Sequence, residues 1–258
     1  MIDVENLTRE SLLKIAASVD ERHGWDFTHV RDLRDPVPWS YGEVVRHYLT
    51  PTTRVLDVGT GGGERFINLA SYFGQGVGID LSPAMVDTAR GNLTPTLAAK
   101  VSFEVMSADD LRLPAESFDV VLNRHSIVNA DQIIRVLKPG GHFITQHVGS
   151  RNTANICAAF GCDPGGAYNP RTDQGWDDLQ DAFACYGCFI EAEAEYDVPY
   201  IFTDLSSFVF WLKAIPMPQD FDMGRHWEQV AQIVAGANTT RGVESNEHRQ
   251  LMVVRKFV

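Results

Sequence analysis

The stretch V-L-D-V-G-T-G-G-G-E-R-F, Val55 to Phe66, decides the fold. Its apolar start is typical of a buried strand, and a helix is predicted from about Glu64. Four glycines lie between them, and Gly59, Gly61 and Gly63 are the ones that the turn requires. Glycine suits such a turn because it tolerates positive φ and lets a ligand approach the backbone closely. The segment therefore predicts a strand, a ligand-binding turn and a helix in succession.

The rest of the chain continues this alternation, which indicates an α/β sheet. The segment Leu137–Gly141 (LKPGG) is predicted as a turn, and the nearly all-apolar stretch Asp204–Ile215 as a helix. That helix is either part of the core, the favoured interpretation, or lines a ligand cavity with one face. Strands are predicted at 54–58, 76–80, 101–107, 118–123, 142–148, 189–198 and 251–258.

Two phosphate-binding interpretations of the glycine turn are disfavoured. A dinucleotide fingerprint has a third glycine where this chain has Glu64, whose carboxylate would face a pyrophosphate. A phosphate-binding loop requires a Gly-Lys pair, which does not occur in the chain. The short-chain dehydrogenase pair Tyr-x-x-x-Lys is also missing. A cationic, phosphate-free cofactor fits Glu64 better.

Carboxylates follow the next two predicted strands. Asp80 ends the second strand, where it can accept two hydrogen bonds from the vicinal hydroxyls of a ribose. Asp109 and Asp110 follow the third strand, where one carboxylate can accept from an adenine amine and a backbone N–H can donate to a ring nitrogen. Each aspartate alone is also compatible with a helix cap or a turn. Together they indicate an adenosyl ligand.

The runs LDVGTGGG, VGIDLSPAMVDTAR, SADDLRLPAESFDVVLNRHS and IIRVLKPGGHFITQ resemble the successive motifs of class I S-adenosylmethionine-dependent methyltransferases. The likeness is to the small-molecule type related to the ubiquinone-biosynthesis and type 11 group, and it covers residues 54–148. It implies a doubly wound, mainly parallel seven-stranded Rossmann-like sheet in which the closing strand is antiparallel. It also implies S-adenosylmethionine as the cofactor, S-adenosylhomocysteine as the product, and a cofactor site formed by Asp57, Gly59, Gly61, Gly63, Asp80, Leu81, Asp109, Asp110 and Asn123.

The acceptor side of the site is predicted from residues near the strand ends. His125 and His147 are candidate general bases, and each is also explained as a polar residue packed on loop backbone. The resemblance implies that Arg124, with Asn123, forms the wall beneath the methyl donor. Trp25, Trp39 and Trp211 are candidates for an aromatic surface over the acceptor, although core packing explains many such residues.

The net charge and the missing motifs restrict the class of methyl acceptor. A net charge of -12 repels nucleic acid, and no basic cluster offsets it. The place after the fourth strand reads LNRHS and not the Asn/Asp-Pro-Pro-aromatic block of amino-methylating DNA enzymes, and no Pro-Cys nucleophile occurs. No membrane segment or signal peptide is recognisable, so a cytoplasmic protein with a small-molecule acceptor is expected. A protein or RNA acceptor, or a non-catalytic cofactor-binding role, stays open, as does the oligomeric state.

Four cysteines allow two interpretations. Cys157, Cys162, Cys185 and Cys188 would complete a four-thiolate zinc site only if the two pairs met, whereas the apolar surroundings favour buried thiols and no metal. For the domains we expect a helical lid segment at 1–50. A methyltransferase domain follows at 51–258, with a lid insertion at about 150–240.

Overall fold

The computed structural model describes residues 7–19, 27–161, 175–215, 218 and 220–257. The helices in these ranges are α1 (Arg9–Ser18), α2 (Tyr41–Arg46), α3 (Glu64–Leu69), α4 (Pro83–Gly91), α5 (Pro95–Ala98), α6 (Ala130–Val136), α7 (Ala154–Phe160), α8 (Trp176–Cys185), α9 (Leu205–Ala214) and α10 (Met223–Ala237). The strands are β1 (Asp32–Arg34), β2 (Arg54–Val58), β3 (Gln75–Asp80), β4 (Val101–Val105), β5 (Phe118–Arg124), β6 (Leu137–Val148), β7 (Phe189–Phe202) and β8 (Val243–Arg255).

The chain forms two compact units. The first comprises Met1–Pro38, Val148–Thr172 and Tyr196–Arg249, and the second comprises Trp39–His147, Asp173–Glu195 and Gln250–Val258. The expected lid segment 1–50 is thus divided at Pro38, and part of the expected insertion belongs to the second unit. A lid function for these segments stays a prediction.

Among the residues that the structure describes, the sheet has eight strands in the order β1-β7-β8-β6-β5-β2-β3-β4, and β2 to β5 lie in the second unit. Strands β2 to β6 pair in parallel, so their carboxyl ends meet at one edge. Near the start of β6, Gly140 and Gly141 exchange backbone hydrogen bonds of 2.9 Å with Lys256, just past the end of β8. Because the start of β6 pairs with the end of β8, the two strands are antiparallel. The predicted mainly parallel sheet with an antiparallel closing strand is confirmed, but its described part has eight strands where seven were predicted, because β1 is added beside β7.

Apolar layers cover both faces of this sheet, because successive strand residues point to opposite sides. Leu56 of β2 packs in the layer that includes Phe143 and Phe183, whose rings lie 5.1 Å apart. Its neighbour Val55 packs in the layer that includes Phe66 and Phe73 on the other side. Both faces of the sheet are therefore covered by apolar layers, so a polar ligand can reach the sheet only at the ends of its strands.

The first unit has its own core around α9. Asp204 caps this helix by accepting a 2.7 Å hydrogen bond from the Ser207 N–H, and the side chains from Ser207 to Leu212 are buried. The short β1 pairs antiparallel with the end of β7, with Asp32 opposite Phe202. The core interpretation of the apolar helix is therefore the correct one.

Some sequence-based boundaries were wrong. The segment Leu137–Gly141 is not a free turn, since it begins β6 and is hydrogen-bonded to the end of the chain. The closing strand starts at Val243, before the predicted 251. Strand β1 and helix α5 were not predicted, because three or four residues carry too little periodicity to be recognised, and helix α6 was also missed.

Candidate functional site

The glycine turn after β2 has the backbone conformation that its sequence predicts. Gly59, Gly61 and Gly63 have φ values of 76°, 57° and 77°, a region that other residues rarely adopt. The N–H groups of Gly59 and Thr60 both donate to the Ile79 carbonyl at 2.9 Å. These bonds fix the turn against the end of β3.

Side chains also pack where these glycines have no Cβ. A Cβ on Gly59 would collide with the Ser126 side chain, and one on Gly63 would lie 2.7 Å from Phe103 Cζ. The carboxylate of Glu64 fills the space beside Gly62. The loop after β5 thus packs directly against the glycine turn, and a negative charge lies over it.

Asp80 links the turn to the next loop. Its Oδ2 accepts the Gly61 N–H and its Oδ1 accepts the Ser82 N–H, both at 2.9 Å. An ionised carboxylate has about four acceptor positions, so two oxygens with one bond each can still accept from a ligand. Leu81 follows with 69% of its surface exposed, which leaves an apolar side chain beside the carboxylate.

The turn after β4 presents two exposed carboxylates. The Asp109 N–H donates to Ser107 Oγ at 3.1 Å, and Asp109 Oδ1 accepts from Asn129 Nδ2 at 3.4 Å. The Asp110 N–H donates to the Ser107 carbonyl at 3.2 Å. The Asp110 backbone group expected to meet a ring nitrogen is therefore already used in the turn.

Asp57 lies on β2 just before the glycine turn. Burial raises the pKa of its carboxyl to about 6, the Asp80 charge adds to the rise, and Thr60 and Arg124 oppose it. Tyr41 also interacts with the charges of Asp57 and Arg124. Burial, and after it the Asp57 charge, raises the pKa of the Tyr41 phenol. Its hydroxyl lies 3.2 Å from the Asn123 carbonyl and 3.0 Å from the Ile144 carbonyl, to which it can donate.

The end of β5 combines a buried amide with a strained histidine. Asn123 is 0% exposed, and its side chain donates to the Ile127 carbonyl at 2.9 Å and accepts from Thr145 Oγ1 at 3.4 Å. Asn123 therefore supports the loop from within. His125 is exposed, has a φ of 60°, and donates its N–H to the Gln146 carbonyl at 2.9 Å. Left-handed backbone in a non-glycine residue is concentrated at functional sites.

His147 occupies the end of β6. Its Nε2 is shielded from water and has no hydrogen-bond partner among the described residues. Burial lowers the pKa of the imidazole to about 4, so the ring is neutral at physiological pH. Its ring centroid lies 6.0 Å from that of Trp176, with 64° between the planes.

The three candidate tryptophans have different positions. Trp39 donates its indole N–H to Gln146 Oε1 at 3.1 Å, which places it at the end of β6. Trp211 is 6% exposed and packs 5.4 Å from the Phe202 ring in the core of the first unit. Trp25 lies outside the described residues.

In the described part of the chain, no group of three or more His, Cys, Asp or Glu side chains is arranged to hold a metal ion. Cys157 and Cys188 are buried, Cys185 is exposed, and Cys162 lies outside the described ranges. Within the same ranges, no helix combines the length and apolar character needed to cross a bilayer.

A family model described as a methyltransferase domain matches residues 49–181, just over half of the chain. The match contains the glycine turn, Asp80, Asp109 and the end of β5. The chain belongs to this methyltransferase family. The family is that of the class I S-adenosylmethionine-dependent methyltransferases, as the motifs predicted.

Individual relatives match over shorter stretches. Aklanonic acid methyltransferase DauC of Streptomyces sp. strain C5 is 38% identical over 29% of this chain and 36% of its own. The ubiquinone/menaquinone biosynthesis C-methyltransferase UbiE of Geotalea daltonii is 28% identical over 41% of this chain and 50% of its own. This chain thus matches half or less of the length of each of these two relatives.

Structural similarity covers more of the chain than these sequence matches do. The crystal structure of YcgJ from Bacillus subtilis superposes with a TM-score of 0.62 at 15% identity and covers 84% of this chain and 98% of YcgJ. At that identity the likeness concerns the fold alone.

The residues present fit S-adenosylmethionine, the methyl donor of the family. The glycine turn admits close approach of a ligand, and Glu64 over Gly62 suits a cation and opposes a phosphate. Asp80 has free acceptor capacity beside the apolar Leu81. The glycine turn, Glu64, Asp80 and Leu81 therefore suit a phosphate-free adenosine with a positively charged tail.

Sequence reasoning did not find Ser126 or Trp176. Ser126 packs on Gly59 and Trp176 on His147, and each partner is distant along the chain. The positive φ predicted for Gly59 was the one available signal that something would pack closely there.

Proposed function

We propose that this protein transfers a methyl group from S-adenosylmethionine to an oxygen or nitrogen atom of a small metabolite and releases S-adenosylhomocysteine. The observation that carries the proposal is the pair of backbone hydrogen bonds that holds the Asp80 carboxylate between Gly61 and Ser82. A carboxylate fixed beside a glycine turn suits recognition of the two ribose hydroxyls.

The other cofactor contacts follow from the same edge. Leu81 would pack against the adenine, Asp109 would accept from its amine, and Asp57 would attract the ammonium group. The bound cofactor supplies a methyl carbon on a positively charged sulfur. The chain then has to align the acceptor with that carbon, and positioning alone accounts for much of the rate in such displacements.

An oxygen or nitrogen acceptor also has to lose a proton. His125 is exposed at the end of β5, where its imidazole can take a proton and pass it to water. Burial leaves the His147 imidazole with a pKa of about 4, too low for efficient proton removal near pH 7. We therefore assign the base to His125 and a different role to His147.

The names of the relatives support a small organic acceptor. DauC is named for aklanonic acid, and UbiE for ubiquinone and menaquinone biosynthesis. The net charge of -12 disfavours a nucleic acid. UbiE is named a C-methyltransferase, so carbon methylation is an outcome that the test has to register.

The test is turnover. Purified protein is incubated with S-adenosylmethionine and the metabolite, protein or RNA fraction of a cell extract, and S-adenosylhomocysteine release is measured. We expect release with the metabolite fraction alone, and mass spectrometry of its product identifies the methylated atom. Tight cofactor binding without release in any fraction would support a non-catalytic role. Tight binding of NADH or ATP with no binding of S-adenosylmethionine would overturn the proposal.

A further inference from the structure

The Nε2 atom of His147 is a buried polar atom that the fold leaves without a hydrogen bond in the described part of the chain. Leaving such a group unsatisfied destabilises the fold, because the atom gives up its hydrogen bond to water and gains none in return. Most buried polar atoms in folded proteins have a hydrogen-bond partner, so a buried polar atom without one needs an explanation. A ligand that completes the bond is one such explanation.

His147 is placed where a methyl acceptor has to arrive. It directly follows Gln146, which pairs with Arg124 at the end of β5. The strand residue two positions before it, Thr145, shares its face of the sheet and contacts Asn123. His147 thus lies at the carboxyl edge that carries the cofactor residues of the second unit, on the face covered by α8.

Trp176 supplies an aromatic surface beside this atom. It is the first residue of α8, half-buried, and its indole N–H donates to Glu193 Oε1. Its ring meets the imidazole edge-on at 6.0 Å. A rotation of the Trp176 side chain that admits a ligand to Nε2 would have to break its hydrogen bond to Glu193, which is exposed to solvent and can be replaced by water.

The imidazole at this position is neutral, since burial lowers its pKa to about 4. A neutral imidazole carries one N–H and one lone pair, so it can donate or accept a hydrogen bond but adds no charge. It therefore suits an uncharged polar group on the ligand. The neighbouring indole favours a flat ring, which stacks or packs edge-on with it.

We propose that His147 Nε2 and the Trp176 indole form the acceptor-binding subsite, which takes a planar ring that carries a hydroxyl or carbonyl oxygen. The ring packs against Trp176, and its oxygen completes the hydrogen bond that Nε2 lacks. This inference rests on the proposed function and names the class of its acceptor. It makes His147 a specificity-determining residue and not the base.

Phenol is the smallest probe with both features. Protein labelled with ¹⁵N at histidine and tryptophan is titrated with phenol in the presence of S-adenosylhomocysteine. Toluene, which lacks the hydroxyl, and cyclohexanol, which lacks the planar ring, serve as controls. We expect phenol to shift the His147 Nε2 and Trp176 indole signals, with at least a tenfold weaker effect from either control. Equal effects from all three compounds, or shifts confined to other residues, would overturn the proposal.

His147→Phe keeps a ring of similar shape and removes both nitrogens. We expect this variant to bind S-adenosylhomocysteine as the wild type does, to lose the phenol shift at Trp176, and to unfold at the same or a higher temperature. The exposed residue His47 provides the matched control, because His47→Phe should leave phenol binding unchanged. Unchanged phenol binding in His147→Phe would show that Nε2 is only a structural orphan. Failure of S-adenosylhomocysteine to bind the wild type would instead refute the proposed function.

Discussion

The Gly61 N–H donates to Oδ2 of Asp80 at 2.9 Å, which ties the glycine turn after β2 to the carboxyl end of β3. The other oxygen of the same carboxylate accepts the Ser82 N–H at the start of α4. One side chain therefore organises two loops and still has acceptor capacity for a ligand. Loss of its charge should affect cofactor binding more than folding.

Asp80→Asn replaces one acceptor oxygen with an amide that cannot accept from the Gly61 or Ser82 N–H. We expect S-adenosylmethionine to bind about 10–100-fold more weakly, since hydrogen bonds to a charged group contribute about 1.5–3 kcal/mol. Calorimetry measures the loss. Asp87→Asn is the matched control, because Asp87 forms an exposed ion pair with Arg90 in α4. We expect this variant to bind S-adenosylmethionine as tightly as the wild type does. Equal affinities for all three proteins would contradict the ribose assignment.

Gly59→Ala tests the packing of Ser126 on the glycine turn. The added Cβ strains a backbone with a φ of 76° and collides with Ser126. We expect cofactor binding to be lost and the protein to be destabilised by about 1–3 kcal/mol. Thermal unfolding and calorimetry measure both effects.

A double variant separates the two causes. Gly59→Ala with Ser126→Gly removes the collision and keeps the strain, so it should regain part of the stability. Gly91→Ala, at the end of α4 with open space around it, should be neutral. If the double variant is no more stable than Gly59→Ala, the Ser126 contact has no energetic weight.

The sequence predicts the parts of this site that depend on local chemistry. Gly59 and Gly63 are recognisable because a strand runs into a turn that requires positive φ, and Asp80 because it ends the next strand. Ser82, directly before Pro83, has the residue type and position of an N-cap, and it accepts the Met85 N–H at 3.4 Å at the start of α4. Each of these features is determined by neighbours a few residues away.

Features that depend on distant residues could not be predicted. The burial of His147 is set by helices and strands packed around it, and sequence spacing alone allowed it to be a base. Trp211 stands in an apolar helix that suits either a core or a ligand wall, and only the packing on Phe202 decides for the core. Asp110 follows the family motif, yet its N–H is used by Ser107.

Asp57 should make cofactor binding depend on pH. Its pKa of about 6 lies above the ordinary 3.8, so the carboxyl gains protons below about pH 6 and loses its attraction for a cation. We expect the Kd for S-adenosylmethionine to rise as the pH falls from 7 to 5. Asp57→Asn should bind weakly with a flatter profile, and Asp87→Asn should keep the wild-type profile. An unchanged Kd from pH 7 to 5 in the wild type would contradict this role.

The same shift affects stability with a definite sign. The folded state binds more protons than the unfolded state between pH 3.8 and about 6, so the free energy of unfolding contributed by Asp57 decreases as pH rises through that range. At pH 7 the charged Asp57 opposes folding of the cofactor-free protein. We expect Asp57→Asn to raise the Tm by about 2–4 °C at pH 7, measured without cofactor. A lower Tm would indicate that the carboxylate is stabilising.

His125 combines a candidate base with a strained backbone, so its substitutions can separate the two. His125→Gly relieves the φ of 60° and should stabilise the fold by about 0.5–1 kcal/mol, and His125→Asn tolerates the same backbone. Both remove the imidazole. If it takes the acceptor proton, kcat should fall about 100-fold or more in both variants while cofactor affinity stays constant. The acidic limb of the kcat pH profile should also disappear. If kcat changes only in proportion to the stability of each variant, and not with the loss of the imidazole, His125 serves the loop conformation alone.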